Sequence, residues 1–159
     1  MAQQILPQGA YCIDTSALID LRIHYPRDIF ASLWKNLERL VSEGNLVAPR
    51  EVLKEIEQKD DELLDWARKN RRLFVDLDFE QQRLVSNLLK KYPTLVDPSK
   101  SIPDADPFIV ALGKKNYVVV TQEKTGGFRG IVRIPDVCAR EGVKCISLHQ
   151  MFREERWEF

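Results

Sequence analysis

Residues 117–120 read Tyr117-Val118-Val119-Val120, and this unbroken apolar, β-branched run is the clearest strand signal in the chain. A run that is apolar at every position, without alternation, belongs to a strand covered on both faces, as in parallel sheets. Working outward, Ala10-Tyr11-Cys12-Ile13 is a second short apolar run that ends at Asp14. Asn45-Leu46-Val47-Ala48 is a third, and Val143 to Leu148 a fourth. The stretches between them have helical periodicity. From Asp28 to Ser42, Ile29, Phe30, Leu33, Trp34, Leu37, Leu40 and Val41 make one face of an amphipathic helix that Gly44 stops. Pro49 suits the first turn of a helix through Val52, Leu53 and Ile56, and Asp60-Asp61-Glu62 place acids at the start of another. Phe79 to Lys91 predicts a further helix with Leu84, Val85, Leu88 and Leu89 inward. Asp104-Ala105-Asp106-Pro107 opens one whose Phe108, Ile109, Ala111 and Leu112 face the core. Ile134 to Arg140 and His149 to Glu155 are shorter helices, while Tyr92 to Pro103 and Gln122 to Gly130 read as loops. Strands alternating with helices predict an α/β fold, a three-layer α/β/α sandwich with a central, mainly parallel sheet.

Composition narrows the classes further. The length of 159 residues is that of one domain, 1–159, with one core. Hydrophobic residues at 44% and charged residues at 30% exclude disordered and collagen-like chains. No apolar run approaches the roughly 18–20 residues that a membrane span requires. The stretch MAQQILPQGA lacks the basic and apolar regions of a secretory signal, so a cytoplasmic location is expected, with no membrane partner. Lys+Arg and Asp+Glu balance at 24 each, so any hold on nucleic acid comes from a local patch or from metal ions, not from bulk charge. Cys12, Cys138 and Cys145 form no CxxC pair, and the apolar runs around Cys12 and Cys145 predict buried, inert thiols. His24 and His149 lack zinc spacing. Trp34 and Trp66 read as core, and Arg68-Lys69-Asn70-Arg71-Arg72 as the cationic end of a helix.

The carboxylates carry the chemistry. Ligands of open parallel sheets bind beyond the carboxyl ends of the strands. Asp14 follows the first strand, Glu123 lies just past Val120, and Asp106, with Asp104 two residues before it, opens the helix leading to Val120. A fourth acid, Glu51 or Glu55, lies on the helix after the second strand. Carboxylates crowded together repel, and without a counter-cation some take up protons. Mg²⁺ or Mn²⁺ removes that conflict, because such ions prefer oxygen ligands and keep several waters. A site of this kind suits phosphodiester hydrolysis, in which one ion activates water and another stabilises the leaving oxygen. Each acid alone has a plainer reading: Asp14 or Asp104 as a helix N-cap, Glu55 as a solvated helix residue, Glu123 as a loop acid. The functional reading rests on the set.

Four segments, in order, resemble PIN-domain nucleases. Tyr11-Cys12-Ile13-Asp14-Thr15-Ser16 resembles their opening strand, which ends in Asp and a small or hydroxyl pair. Pro49-Arg50-Glu51-Val52-Leu53-Lys54-Glu55-Ile56 is similar to their second segment and favours Glu55 over Glu51. Ala105-Asp106-Pro107-Phe108-Ile109-Val110-Ala111-Leu112 resembles the third, and Val118-Val119-Val120-Thr121-Gln122-Glu123 the fourth, with Glu123 where many relatives have Asp. The resemblance implies a PIN-like sandwich and a Mg²⁺- or Mn²⁺-dependent endoribonuclease. It implies metal ligands at Asp14, Glu55, Asp106 and Glu123, with Asp104 as an extra ligand or supporting acid. Thr15, Ser16 and Thr121 would hold water or orient those carboxylates. Many such proteins are VapC-type toxins, so an RNA substrate, a protein antitoxin and a homodimer are further implications.

Two other α/β chemistries lack their motifs. A haloacid-dehalogenase-type phosphatase needs Asp-x-Asp where this chain has Asp14-Thr15-Ser16, and Gly126-Gly127 is not followed by the Lys-Ser/Thr of a phosphate loop. The competing readings are a catalytically weak PIN-like module that binds RNA or protein, and a nuclease for flapped or single-stranded DNA.

Overall fold

The computed structural model describes residues 10–97, 99, 104–126 and 132–159. The apolar runs form strands β1 (Tyr11–Ile13), β2 (Leu46–Pro49), β4 (Val118–Val120) and β5 (Cys145–Ile146), and a fifth, β3, is Phe74–Val75. All pairings are parallel, and the order across the sheet is β3-β2-β1-β4-β5. Tyr11 and Cys12 register with Leu46 and Val47 on one side, and Tyr11, Cys12 and Ile13 with Val118, Val119 and Val120 on the other. The chain therefore winds outward from β1 through β2 to β3, then crosses back to lay β4 on the opposite side of β1. Such a reversal leaves a crevice at the carboxyl ends of the two strands between which it occurs.

Helices cover the sheet as an α/β/α sandwich: α1 (Thr15–His24), α2 (Ala31–Ser42), α3 (Arg50–Lys59), α4 (Asp61–Lys69), α5 (Phe79–Lys91), α6 (Asp106–Gly113), α7 (Ile134–Glu141) and α8 (Leu148–Glu154). β1 is fully buried, as a strand flanked on both edges and both faces must be. Trp34 of α2 and Trp66 of α4 meet edge to face at 5.1 Å within the core, as the sequence predicts. Asp60 caps α4 by accepting from the Leu63 N–H at 3.0 Å and pairs with Arg22 of α1. Glu141 joins three helices at its own end of the molecule, accepting from Lys114 Nζ at 2.8 Å, Tyr92 OH at 2.7 Å and Lys91 Nζ at 3.4 Å. The Lys114 bond, then that of Tyr92, holds its carboxyl down at about 2.

Several elements depart from the sequence reading. The second helix starts at Ala31, not Asp28, so Ile29 is 72% exposed instead of inward. Pro49 closes β2 and precedes α3; its extended ψ of 152° is incompatible with a first helical turn. β3 lies inside a stretch read as helical, because two residues are too few to show a period. The run Val143 to Leu148 is a strand only at Cys145–Ile146, since Ser147 caps α8 in a capping box with Gln150. Cys12 and Cys138 are buried, but Cys145 is only half-buried. The loop reading of Tyr92 to Pro103 holds a 3₁₀ turn at Pro93–Leu95. Residues 98 and 100–103, and 127–130 of the second loop, lie outside the described residues. No helix among the described residues is long and apolar enough to cross a membrane.

Gly113 ends α6 against Val119 of β4 and Val143. A Cβ there would meet Val143 Cγ1 at 2.5 Å and Val119 Cγ2 at 2.8 Å. Both neighbours are β-branched and stiff, so they cannot rotate out of the way. Gly113→Ala is expected to lower stability by about 1–3 kcal/mol, measured as a shift in the urea unfolding midpoint.

Candidate active site

The crevice between β1 and β4 gathers the acids. Asp14, the residue after β1, is 2% exposed and sits in the N-cap position of α1. Its Oδ1 accepts from the Thr15 N–H at 2.7 Å, and its Oδ2 from Ser16 Oγ at 2.7 Å and Thr121 Oγ1 at 2.8 Å. The capping and functional readings thus describe one residue, since the cap fixes where the carboxylate points. Glu55 reaches the same place from α3, accepting from Thr15 Oγ1 at 3.1 Å, with Lys59 Nζ 3.8 Å from its other oxygen. Glu123 follows β4. Its N–H donates to Thr121 Oγ1 at 3.1 Å and its carboxylate accepts from the Ile134 N–H at 3.1 Å, at the amino end of α7, where a helix favours negative charge. Asp106 opens α6, and its carboxylate has no hydrogen-bond donor among the described residues.

Asp14, Glu55, Asp106 and Glu123 line one cavity of about 330 Å³, together with Thr15, Ser16 and Lys59. Glu51 does not reach it. Asp104 is buried and is not the N-cap of α6, a position that Ala105 takes. Its Oδ2 accepts from the Asp97 N–H at 2.6 Å, and its side chain lines a neighbouring cavity that shares Asp106 and Glu123. Two further charged residues of the first cavity, Asp20 and Lys59, escaped the sequence reading. Asp20, hydrogen-bonded to Gln122 Nε2 at 2.8 Å, sits on α1, where apolar Ile19 and Ile23 flank it on the outward face and mask the helical pattern. Lys59 stands one helical turn after Glu55, and that spacing was a usable signal.

Burial raises the carboxyls of Asp14, Glu55, Asp106 and Glu123, and neighbouring acids add to it for Glu55, Asp106 and Glu123. Burial comes first for Asp106, followed by the charges of Asp14, Glu123, Glu55 and Asp104, and together they push it up to about 9. Asp14 is raised by burial against the opposing hydrogen bonds of Ser16, Thr121 and Thr15. Burial raises Glu55, which Lys59 partly offsets, and it raises Glu123, aided by Asp14 and opposed by the Ile134 N–H and Arg133. The four cannot all ionise beside one another without added positive charge.

Among the described residues, no His or Cys lines the cavity, and no three His, Cys, Asp or Glu side chains stand grouped as a ready-made metal cage. The oxygens nonetheless fit a hard ion, because Mg²⁺ is held through one or two carboxylates and keeps most of its waters. Zinc is not favoured by this chemistry.

Residues 11–159 match the model of the family described as a domain of unknown function, DUF4411. The chain belongs to the DUF4411 family. It is also similar to the crystal structure of PAE2754 from Pyrobaculum aerophilum, at 17% identity and a TM-score of 0.41, covering 89% of this chain and 98% of that one. No curated protein matches this DUF4411 chain.

The raised carboxyls give the metal-free protein a pH signature. Between the ordinary 3.8 of an aspartate and about 9, the folded state holds a proton on Asp106 that the unfolded chain has released. Stability therefore falls as pH rises through that window. Asp106→Asn is expected to flatten this slope and to raise stability at pH 8 in EDTA by about 1–3 kcal/mol. Urea unfolding across pH checks it, and unchanged midpoints would show that the acids do not compete.

Proposed function

We propose that this DUF4411 member is a Mg²⁺- or Mn²⁺-dependent endoribonuclease that cleaves RNA phosphodiester bonds. The observation that carries the reading is Asp106: a carboxylate without a hydrogen-bond donor among the described residues, facing three other acids in the crevice where the strand order reverses. An acid so placed is stabilised only by a proton or a cation. Asp14, Glu55, Asp106 and Glu123 would hold the ion, with Asp104 supporting from the neighbouring cavity. The bound ion supplies the charge that lets these acids ionise together and the Lewis acidity for water attack on phosphorus.

The remaining steps belong to the protein's own side chains. Thr15 couples two acids, since its N–H donates to Asp14 and its hydroxyl to Glu55. Ser16 and Thr121 hold Asp14 Oδ2 from two elements and favour its ionised form. The Ile134 N–H fixes Glu123, which sets its reach despite the extra methylene that distinguishes it from Asp. Lys59 offers the cavity a cation beside Glu55. The resemblance of the four segments to VapC-type PIN nucleases supports a toxin role, with a protein antitoxin as partner and a homodimer as the assembly. A second reading, a catalytically weak module that binds RNA or protein, is favoured by the absence of a ready-grouped metal cage among the described residues.

The deciding experiment is cleavage of total cellular RNA by the purified chain with Mn²⁺, Mg²⁺ or EDTA. Cleavage is expected with metal alone, and Asp106→Asn should lose it by more than about 100-fold. Ser16→Ala and Thr121→Val should each reduce it by roughly 10–100-fold, as expected for groups that orient a ligand. Cleavage that survives EDTA or Asp106→Asn overturns the reading. No cleavage together with no thermal stabilisation by Mn²⁺ supports the binding module.

A further inference from the structure

Two cavities meet at Asp106 and Glu123. The smaller, of about 330 Å³, holds Asp14 and Glu55 and has Lys59 as its one basic residue among the described lining. The larger, of about 610 Å³, continues past Asp106 and Glu123 to an apolar wall of Pro93, Leu95, Val96 and Val132, and Arg133 is its one basic residue among the described lining. The acids are thus bracketed by a cation in each cavity. Lys59 is half-exposed and only loosely paired, 3.8 Å from Glu55. Arg133 is exposed and has no ion pair among the described residues, its backbone N–H being anchored to Asp136 at 3.0 Å. Lys59 already acts on Glu55 and Arg133 on Glu123, but both stay exposed to solvent and so can also hold anions.

The alternation of charge matches one kind of occupant. A polynucleotide presents a phosphate at each step, with an apolar base hanging between successive phosphates. We infer that the two cavities form one groove for single-stranded RNA, in which Lys59 and Arg133 hold the phosphates flanking the one to be cleaved and the apolar wall receives a base. An unpaired base is favoured there, because turning a base out of a duplex costs its pairing and stacking. Recognition by an apolar surface tolerates any base, so the groove selects for single-strandedness more than for sequence. The inference rests on the nuclease reading for the phosphate at the centre, but strand binding itself does not require cleavage.

The test separates the two. Affinity for a short labelled single-stranded RNA is measured by fluorescence anisotropy over a range of salt, with Ca²⁺ replacing Mg²⁺ to suppress cleavage. Lys59→Gln and Arg133→Gln should each weaken binding and lower the slope of log K against log salt by about 0.7, the contribution of one phosphate contact on a single strand. Lys35→Gln, on an exposed position of α2, is the control and should leave both unchanged. Val96→Trp, which fills the larger cavity, should reduce affinity about tenfold or more, within the worth of one base contact, without changing the thermal stabilisation by Ca²⁺. The duplex of the same sequence should bind more weakly than the single strand. Metal-dependent cleavage by the wild type with binding indifferent to Lys59, Arg133 and Val96 overturns the groove and leaves the nuclease standing. Binding sensitive to all three with no cleavage under Mn²⁺ keeps the groove and overturns the nuclease. No binding of single strands, or equal binding of duplex, overturns the groove.

Discussion

Asp14 cannot retreat from the charges around it. Its N–H is bonded to the Val120 carbonyl at 2.9 Å and its carboxylate to Thr121 Oγ1 at 2.8 Å, so β1 and β4 hold it from both ends. Parallel pairing of these two strands is the constraint from which the rest follows. It places the residues after both strands at one edge of the sheet, and it leaves the crevice into which α3 and α6 deliver Glu55 and Asp106. A shift of one residue between β1 and β4 would turn the side chains of one strand to the wrong face, burying a carboxylate in the apolar interior.

Two acids show how differently one chain can treat the same functional group. Glu141 is surrounded by Lys114, Tyr92 and Lys91, and its carboxyl is held at about 2. Asp106 has neighbours of its own sign and no donor among the described residues, and it rises to about 9. The fold is able to satisfy an acid fully when the acid is structural. Leaving Asp106 unsatisfied costs stability, and such local conflicts concentrate where a protein binds or reacts.

Much of this was legible in the sequence. The β-branched run at Val118–Val120 and the apolar run before Asp14 show through because buried parallel strands carry no polar residues. The acids at their ends follow from position alone. What stayed hidden was hidden for physical reasons. α1 buries Ala17, Leu18 and Leu21 but carries Ile19 and Ile23 on its other face, so apolar residues fall on both sides and Asp20 did not stand out. β3 is too short to have a period. Ile29 looked like part of a helical face, but the helix begins only after Phe30, and the spacing alone does not mark that start. The roles of Asp104 and Asp106 depend on the Asp97 N–H, a partner that only the folded loop brings near.

The Asp14–Thr121 hydrogen bond closes across 107 residues of chain. Asp14 and Glu55 lie in the first half of the polypeptide, Asp106 and Glu123 in the second, and the sheet that unites them exists only once β4 has docked beside β1. Contacts this distant in sequence form late, because the entropy of closing so long a loop precedes any reward. As a ribosome delivers the chain from its amino end, the first two acids emerge long before the others and face only each other. Completion of the pocket is therefore a late event, and a chain cut before β4 carries at most the half built on Asp14, Thr15 and Glu55.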